Sequence, residues 1–144
     1  MKTKTVSVLL LLLLSVGCFK APNNDTVVSK GSLVVVMVQD ESRQDPLPSG
    51  VVIAMGAKDV QEYLDAKCAK GADGKTPEAK KYHKLTDVSG QSKAVQEVHA
   101  AVVGKMDASK DPYIGIKHGR RIAVGKVPPG KDDMLNLLRK YGGK

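Results

Sequence analysis

Two long apolar runs occupy the first quarter of the chain, and beyond them the apolar positions recur at helical or strand spacing. The first run, Val6 to Val16, is about eleven residues long and follows Lys2 and Lys4. The second, Leu33-Val34-Val35-Val36-Met37-Val38, holds six continuous apolar residues, mostly β-branched, between Gly31 and Gln39-Asp40-Glu41. A strand without polar alternation is buried on both faces, so this segment is predicted at the centre of a sheet. A polar, proline-bearing stretch runs from Glu41 to Gly50, and Val51 to Met55 fits a strand or a short helix equally. From Ala57 the period becomes helical. Val60, Tyr63, Leu64 and Cys68 share one face, and Lys58, Asp59, Glu62 and Asp65 the other, with an end expected near Gly71.

Gly71 to Glu78 is rich in turn residues, and Tyr82 to Val88 reads as a short, partly polar strand. Ser89-Gly90-Gln91-Ser92 then offers side-chain oxygens for a helix start, after which Val95, Val98 and Val102 repeat at helical spacing up to Gly104. Tyr113 to Lys117 and Arg121 to Gly125 are predicted strands joined by His118-Gly119-Arg120, where Gly119 can take the positive φ of a tight hairpin. Pro128-Pro129-Gly130 precedes a closing helix over Lys131 to Tyr141, with Met134, Leu135, Leu138 and Tyr141 as its apolar stripe. The predicted order is β-α-β-α-β-β-α, an α/β class, over residues 31–144.

The first apolar run is an export signal by its layout: a basic start, an apolar stretch and small residues before Cys18. A helix needs roughly 20 apolar residues to span a bilayer, so the run is too short to stay as an anchor. Val16-Gly17-Cys18 resembles the lipobox of bacterial lipoproteins, with Ser15 standing where that family usually has Leu. The resemblance implies that residues 1–17 are cleaved and that Cys18 carries a lipid as the mature N-terminus. Without the resemblance, Cys18 is an ordinary residue of a secreted chain. Lipid chains contribute about 0.8 kcal/mol per buried CH₂, enough for anchoring when several act together. Residues 18–30, with Pro22, Asn23, Asn24 and Asp25, read as the tether. Phe19 follows Cys18, where the family's sorting pattern uses Asp to retain lipoproteins at the inner membrane; the outer membrane or its periplasmic face is therefore expected.

Cleavage after Gly17 removes two lysines and lowers the net charge from +8 to +6 over the remaining 127 residues, a length that fits one domain. The positive charge is scattered lysine, and one Phe with four Tyr gives few platforms for stacking bases, which argues against a nucleic-acid groove. Anionic head groups or an acidic partner suit a basic exported surface better, although scattered lysines read first as a solvated surface. With Cys18 lipidated, Cys68 has no partner for a disulfide, and stability must come from an apolar core.

The run Asp111-Pro112-Tyr113-Ile114-Gly115-Ile116-Lys117-His118-Gly119-Arg120-Arg121-Ile122, continuing through Gly130 into the Leu-Leu helix, resembles the last third of the thioredoxin fold. The resemblance implies a three-layer sandwich with a mixed central sheet, and a cis Asp111–Pro112 bond; the residues alone equally allow a trans proline opening an edge strand. One departure is decisive for chemistry. Where thioredoxin-like oxidoreductases carry Cys-x-x-Cys, this chain has Gln39-Asp40-Glu41-Ser42-Arg43-Gln44-Asp45. Disulfide exchange needs a thiolate nucleophile and a resolving thiol, and neither is present there. Gly71 to Glu78 and Leu137 to Gly143 also resemble a group of small, signal-bearing bacterial proteins, a likeness that implies no activity.

Remaining candidates are few. Cys68 is the one candidate redox residue, although its helix-end position disfavours a thiolate and its place on the apolar stripe favours burial. Lys117, His118, Arg120 and Arg121 form the densest basic cluster, a candidate site for a carboxylate or phosphate. His83, His99 and His118 lie on three separate elements without the spacing of a metal pair, so neither metal nor cofactor is expected. Ser49-Gly50 and Ser89-Gly90 lack a nucleophile elbow, and Gly71 to Thr76 is too short between its glycines for a phosphate loop. The expectation is a lipid-anchored envelope protein with a non-catalytic binding domain for a protein or small anionic ligand. The alternative is a divergent thiol oxidoreductase or peroxidase-like protein using Cys68 alone.

Overall fold

The computed structural model describes residues 32–40 and 47–144. The signal segment 1–17, Cys18, the tether 18–30 and most of the polar stretch after Asp40 lie outside the described residues. The elements are β1 (Leu33–Gln39), α1 (Ser49–Gly56), α2 (Lys58–Lys67), β2 (Ala79–His83), α3 (Lys93–Val103), β3 (Tyr113–His118), β4 (Arg121–Lys126) and α4 (Lys131–Gly142). This is a mixed α/β architecture, with one more helix than the sequence pattern predicts.

β1 is central, as its unbroken apolar run requires, in a sheet ordered β2-β1-β3-β4. It runs parallel to β2 and antiparallel to β3, and β3 is antiparallel to β4. Successive side chains of a strand point to opposite faces. Leu33, Val35 and Met37 therefore join a cluster with Val51 and Ala54 of α1, Val60 and Leu64 of α2, and Met134, Leu135 and Leu138 of α4. Val34, Val36 and Val38 meet Val95, Val98 and Val102 of α3 on the other face. Each such side chain contributes about 1.5–3 kcal/mol when fully buried, so one strand ties both clusters together.

The ambiguous Val51 to Met55 is helical. α1 buries only Val51 and Ala54 and leaves Val52 and Ile53 more than half exposed, so its apolar residues surround it and give neither period. α2 ends at Lys67, earlier than the expected Gly71, because the chain there turns extended beside β1: Ala69 N donates to Leu33 O at 2.8 Å. β2 likewise starts and stops earlier than Tyr82 to Val88. Its register against Val35 to Gln39 fixes Ala79 to His83, and a turn follows in which Thr86 N donates to His83 O at 3.1 Å. As an edge strand, β2 tolerates Lys80 and Lys81, which masked it in the sequence.

α3 begins where expected, with Ser92 Oγ accepting from Val95 N at 3.3 Å. The β3–β4 connection is a two-residue turn. Gly119 has φ +58° while Arg120 has none in the positive range, the pattern of a type II′ turn. α3 lies close on the sheet at Gly115, where an added Cβ would stand 2.5 Å from both Val98 Cγ1 and Val102 Cγ2.

Gly115→Ala is expected to lower stability in urea by about 1–3 kcal/mol through overpacking. Adding Val98→Ala should restore part of that loss, so that the pair costs less than the sum of the single changes. Strict additivity would mean that α3 does not approach β3 at this point.

Candidate functional site

Cys68 follows α2 as an extended residue bridged to Leu33, at the end of the sheet where β1 begins. It is fully buried and free, and burial pushes its thiol pKa up to about 12. Nearby Lys70 pulls the other way, while Asp65 and Glu78 push up with the burial. Pro112 sits beyond Tyr113, which pairs with Val38 at the opposite end of β1. Five residue steps of about 3.4 Å, or about 17 Å along β1, separate those ends, so thiol and proline stand at opposite ends of the sheet. The Asp111–Pro112 bond is trans, since the described residues contain no cis peptide; the expectation of a cis bond is corrected. Trans is the lower-energy isomer, and it lets the Pro112 carbonyl accept from Val127 N at 2.9 Å as a continuation of the β3–β4 ladder.

The basic cluster divides across the sheet. Lys117 faces α3, where its Nζ lies 2.7 Å from Glu97 Oε2 with only 19% of its side chain exposed. That hydrogen bond and charge hold Glu97 below the usual carboxylate range. His118 and Arg121 are paired across the hairpin and point to the opposite face, with Arg120 at the turn between them. Among the described residues Arg120 and Arg121 make no ion pair. Lys117 thus stands on the α3 side of the sheet, paired with Glu97, while His118, Arg120 and Arg121 stand together at the hairpin rim.

Beside that rim is a feature the sequence reading missed. α4 packs on β3 and stops short of covering β4, whose residues on that side beyond Arg121 are Ala123 and Gly125. A shallow groove of about 200 Å³ remains, with Ile114 and Ile116 as floor and Leu137 and Tyr141 as wall. The alternation Ile122, Ala123, Val124, Gly125 carries the signal: one face of β4 is bulky and the other nearly empty. Lys140 Nζ stands 5.6 Å from the centre of the Tyr141 ring, adding positive charge near the groove.

The loop before β3 forms a polar clasp. Lys126 Nζ meets Asp111 Oδ2 at 2.8 Å and Asp107 Oδ2 at 3.5 Å, and Ser109 Oγ, with one proton to donate, contacts Asp107 Oδ1 and lies 3.0 Å from Asp111 Oδ2. Ser109 hydroxyl and backbone N–H hold Asp107 down to about 2. The histidines stay apart in role: His99 is buried with Nε2 3.2 Å from His83 O and its ring edge-on to Tyr82. Among the described residues no three His, Cys, Asp or Glu side chains are grouped to hold a metal ion. Ser92 Oγ donates to the buried Glu78 at 2.9 Å, but its role is to cap α3.

No family model, curated protein or solved structure matches the chain. Function must therefore be argued from the residues themselves.

Asp107, and likewise Asp73 held by Thr76 and backbone N–H groups, has a folded-state pKa of about 2 against an ordinary 3.8. Lowered carboxylate values stabilise the fold fully above the ordinary value and lose that effect as pH falls through the folded one. The urea midpoint should accordingly fall from about pH 4 to about pH 2, with a shallower fall in Asp107→Asn. Identical slopes in the two proteins would show that the clasp does not form.

Proposed function

We propose that the chain is an exported lipoprotein whose folded part is a thioredoxin-like three-layer sandwich that binds a partner and carries out no thiol chemistry. Lys2 and Lys4, the apolar run and Gly17-Cys18 support the export and lipid reading. Lipid on Cys18 tethers the domain through residues 19–30 at the outer membrane, on its periplasmic face. No helix among the described residues is long and apolar enough to cross a membrane.

The fold assignment draws support from the strand order β2-β1-β3-β4 with only β1 and β2 parallel. It is supported further by α1, α2 and α4 on one face and α3 on the other. Fold alone does not define activity, and sites must be argued separately.

One observation carries the functional half: the single thiol among the described residues is in the core, at the wrong end of the sheet for exchange chemistry. A thiolate is the nucleophile, and a thiol with its pKa near 12 is almost wholly protonated at neutral pH. The oxidoreductase alternative has no such observation in its favour. Binding is assigned to the hairpin rim, where Arg120 and Arg121 present charge without internal partners among the described residues.

Mass spectrometry of the mature protein, purified from membranes and exposed to N-ethylmaleimide before digestion, tests both halves at once. The expected N-terminal peptide begins at a lipid-modified Cys18, and Cys68 gains an adduct only when denaturant is added with the reagent. Prompt native labelling of Cys68 would overturn the non-catalytic reading. An uncleaved or unmodified N-terminus would overturn the anchor.

A further inference from the structure

Resting on that binding reading, we propose a specific mode: the open edge of β4 and the groove beside it take an extended, acid-headed peptide segment of a partner protein as an additional strand. β4 ends the sheet order, and the two-residue hairpin sets which of its backbone groups are free. The pair His118–Arg121 that closes a two-residue turn exchanges both ladder hydrogen bonds, and alternate pairs do so thereafter. Val127 N bonded to Pro112 O at 2.9 Å confirms this phase at the far end. Arg121, Ala123 and Gly125 thus bond inward to β3. Ile122, Val124 and Lys126 present their N–H and C=O groups outward.

A strand added there has somewhere to place its side chains. Beyond Arg121 the α4-side face of β4 carries only the methyl of Ala123 and no side chain at Gly125, and the adjoining groove measures about 200 Å³ with an apolar floor and wall. Main-chain pairing supplies attraction and the groove accepts alternate apolar side chains, the division of labour in recognition by strand addition.

Charge selects the occupant. At the hairpin end stand Arg120, Arg121 and His118, with Lys140 over Tyr141 close by. At the other end Lys126 is already matched by Asp107 and Asp111. The site is therefore basic at one end only, which favours a segment whose acidic residues lie at the hairpin end. A second copy of the chain supplies no acidic residue to the basic end: in the antiparallel register centred on Val124, which lets the outward groups of two β4 strands pair, Lys126 stands opposite Ile122 and Arg121 opposite Val127.

The test uses the full chain and a fluorescein-labelled peptide of alternating Val and Thr opened by two aspartates. Saturable binding in fluorescence anisotropy is expected, with new amide-exchange protection at Ile122, Val124 and Lys126 and weakening as salt is raised. A Cβ at Gly125 meets nothing within 4 Å, so Gly125→Leu should fold normally while filling the groove, and should weaken the probe at least about tenfold. Arg120→Glu with Arg121→Glu should do the same, and a lysine-headed probe should rescue it. Binding that leaves these three amides unprotected, or that is unchanged in folded Gly125→Leu, overturns the proposal. Dimerisation abolished by Gly125→Leu overturns it in favour of a second copy. None of these failures touches Cys68 labelling, so the binding-module reading is judged independently.

Discussion

The double burial of β1 is the constraint on which the remaining architecture depends. Six consecutive residues from Leu33 to Val38 are buried, none more than 4% exposed, and each alternate set of side chains needs its own cover. Cover on one face comes from α1, α2 and α4 and on the other from α3, so the helices must divide around the sheet. The strand itself needs neighbours on both edges to satisfy its backbone, which β2 and β3 provide. Small side chains then mark where cover comes closest. Gly115 admits α3, and at the far side of the sheet Ala123 and Gly125 leave a space that α4 does not reach.

The same constraint governs the chemistry. Cys68 is drawn into the core because the chain after α2 runs beside the start of β1, where the thiol loses water and its pKa rises. Polar contacts form instead near Pro112, in the clasp of Asp107, Ser109, Asp111 and Lys126, and charged side chains without such contacts among the described residues stand at the hairpin end.

Much of the fold is legible in the sequence wherever burial is one- or two-sided without ambiguity. β1, α3, the hairpin at Gly119 and α4 follow directly from continuous, 3.6-residue and two-residue patterns. Failures occur where tertiary pairing overrides local pattern. β2 carries two lysines because it is an edge, and its limits come from register with β1. α2 stops at Lys67 because β1 captures the next residues. α1 is apolar all round, so no period identifies it. The basic cluster is continuous in sequence, yet strand alternation sends Lys117 to Glu97 and His118 and Arg121 to the far face, with Arg120 in the turn. That division could be read from the parity of positions 117 and 121 once the hairpin phase is known. The groove could not, since it depends on how far α4 extends over the sheet.

Native-state hydrogen exchange followed through increasing denaturant measures most directly whether β1 is the axis of the domain. The account predicts that the amides of Val34 to Val38 exchange only by global unfolding, with the full denaturant dependence of the equilibrium transition. Amides of β1 that exchange through local opening, as quickly as those of β2, would contradict it.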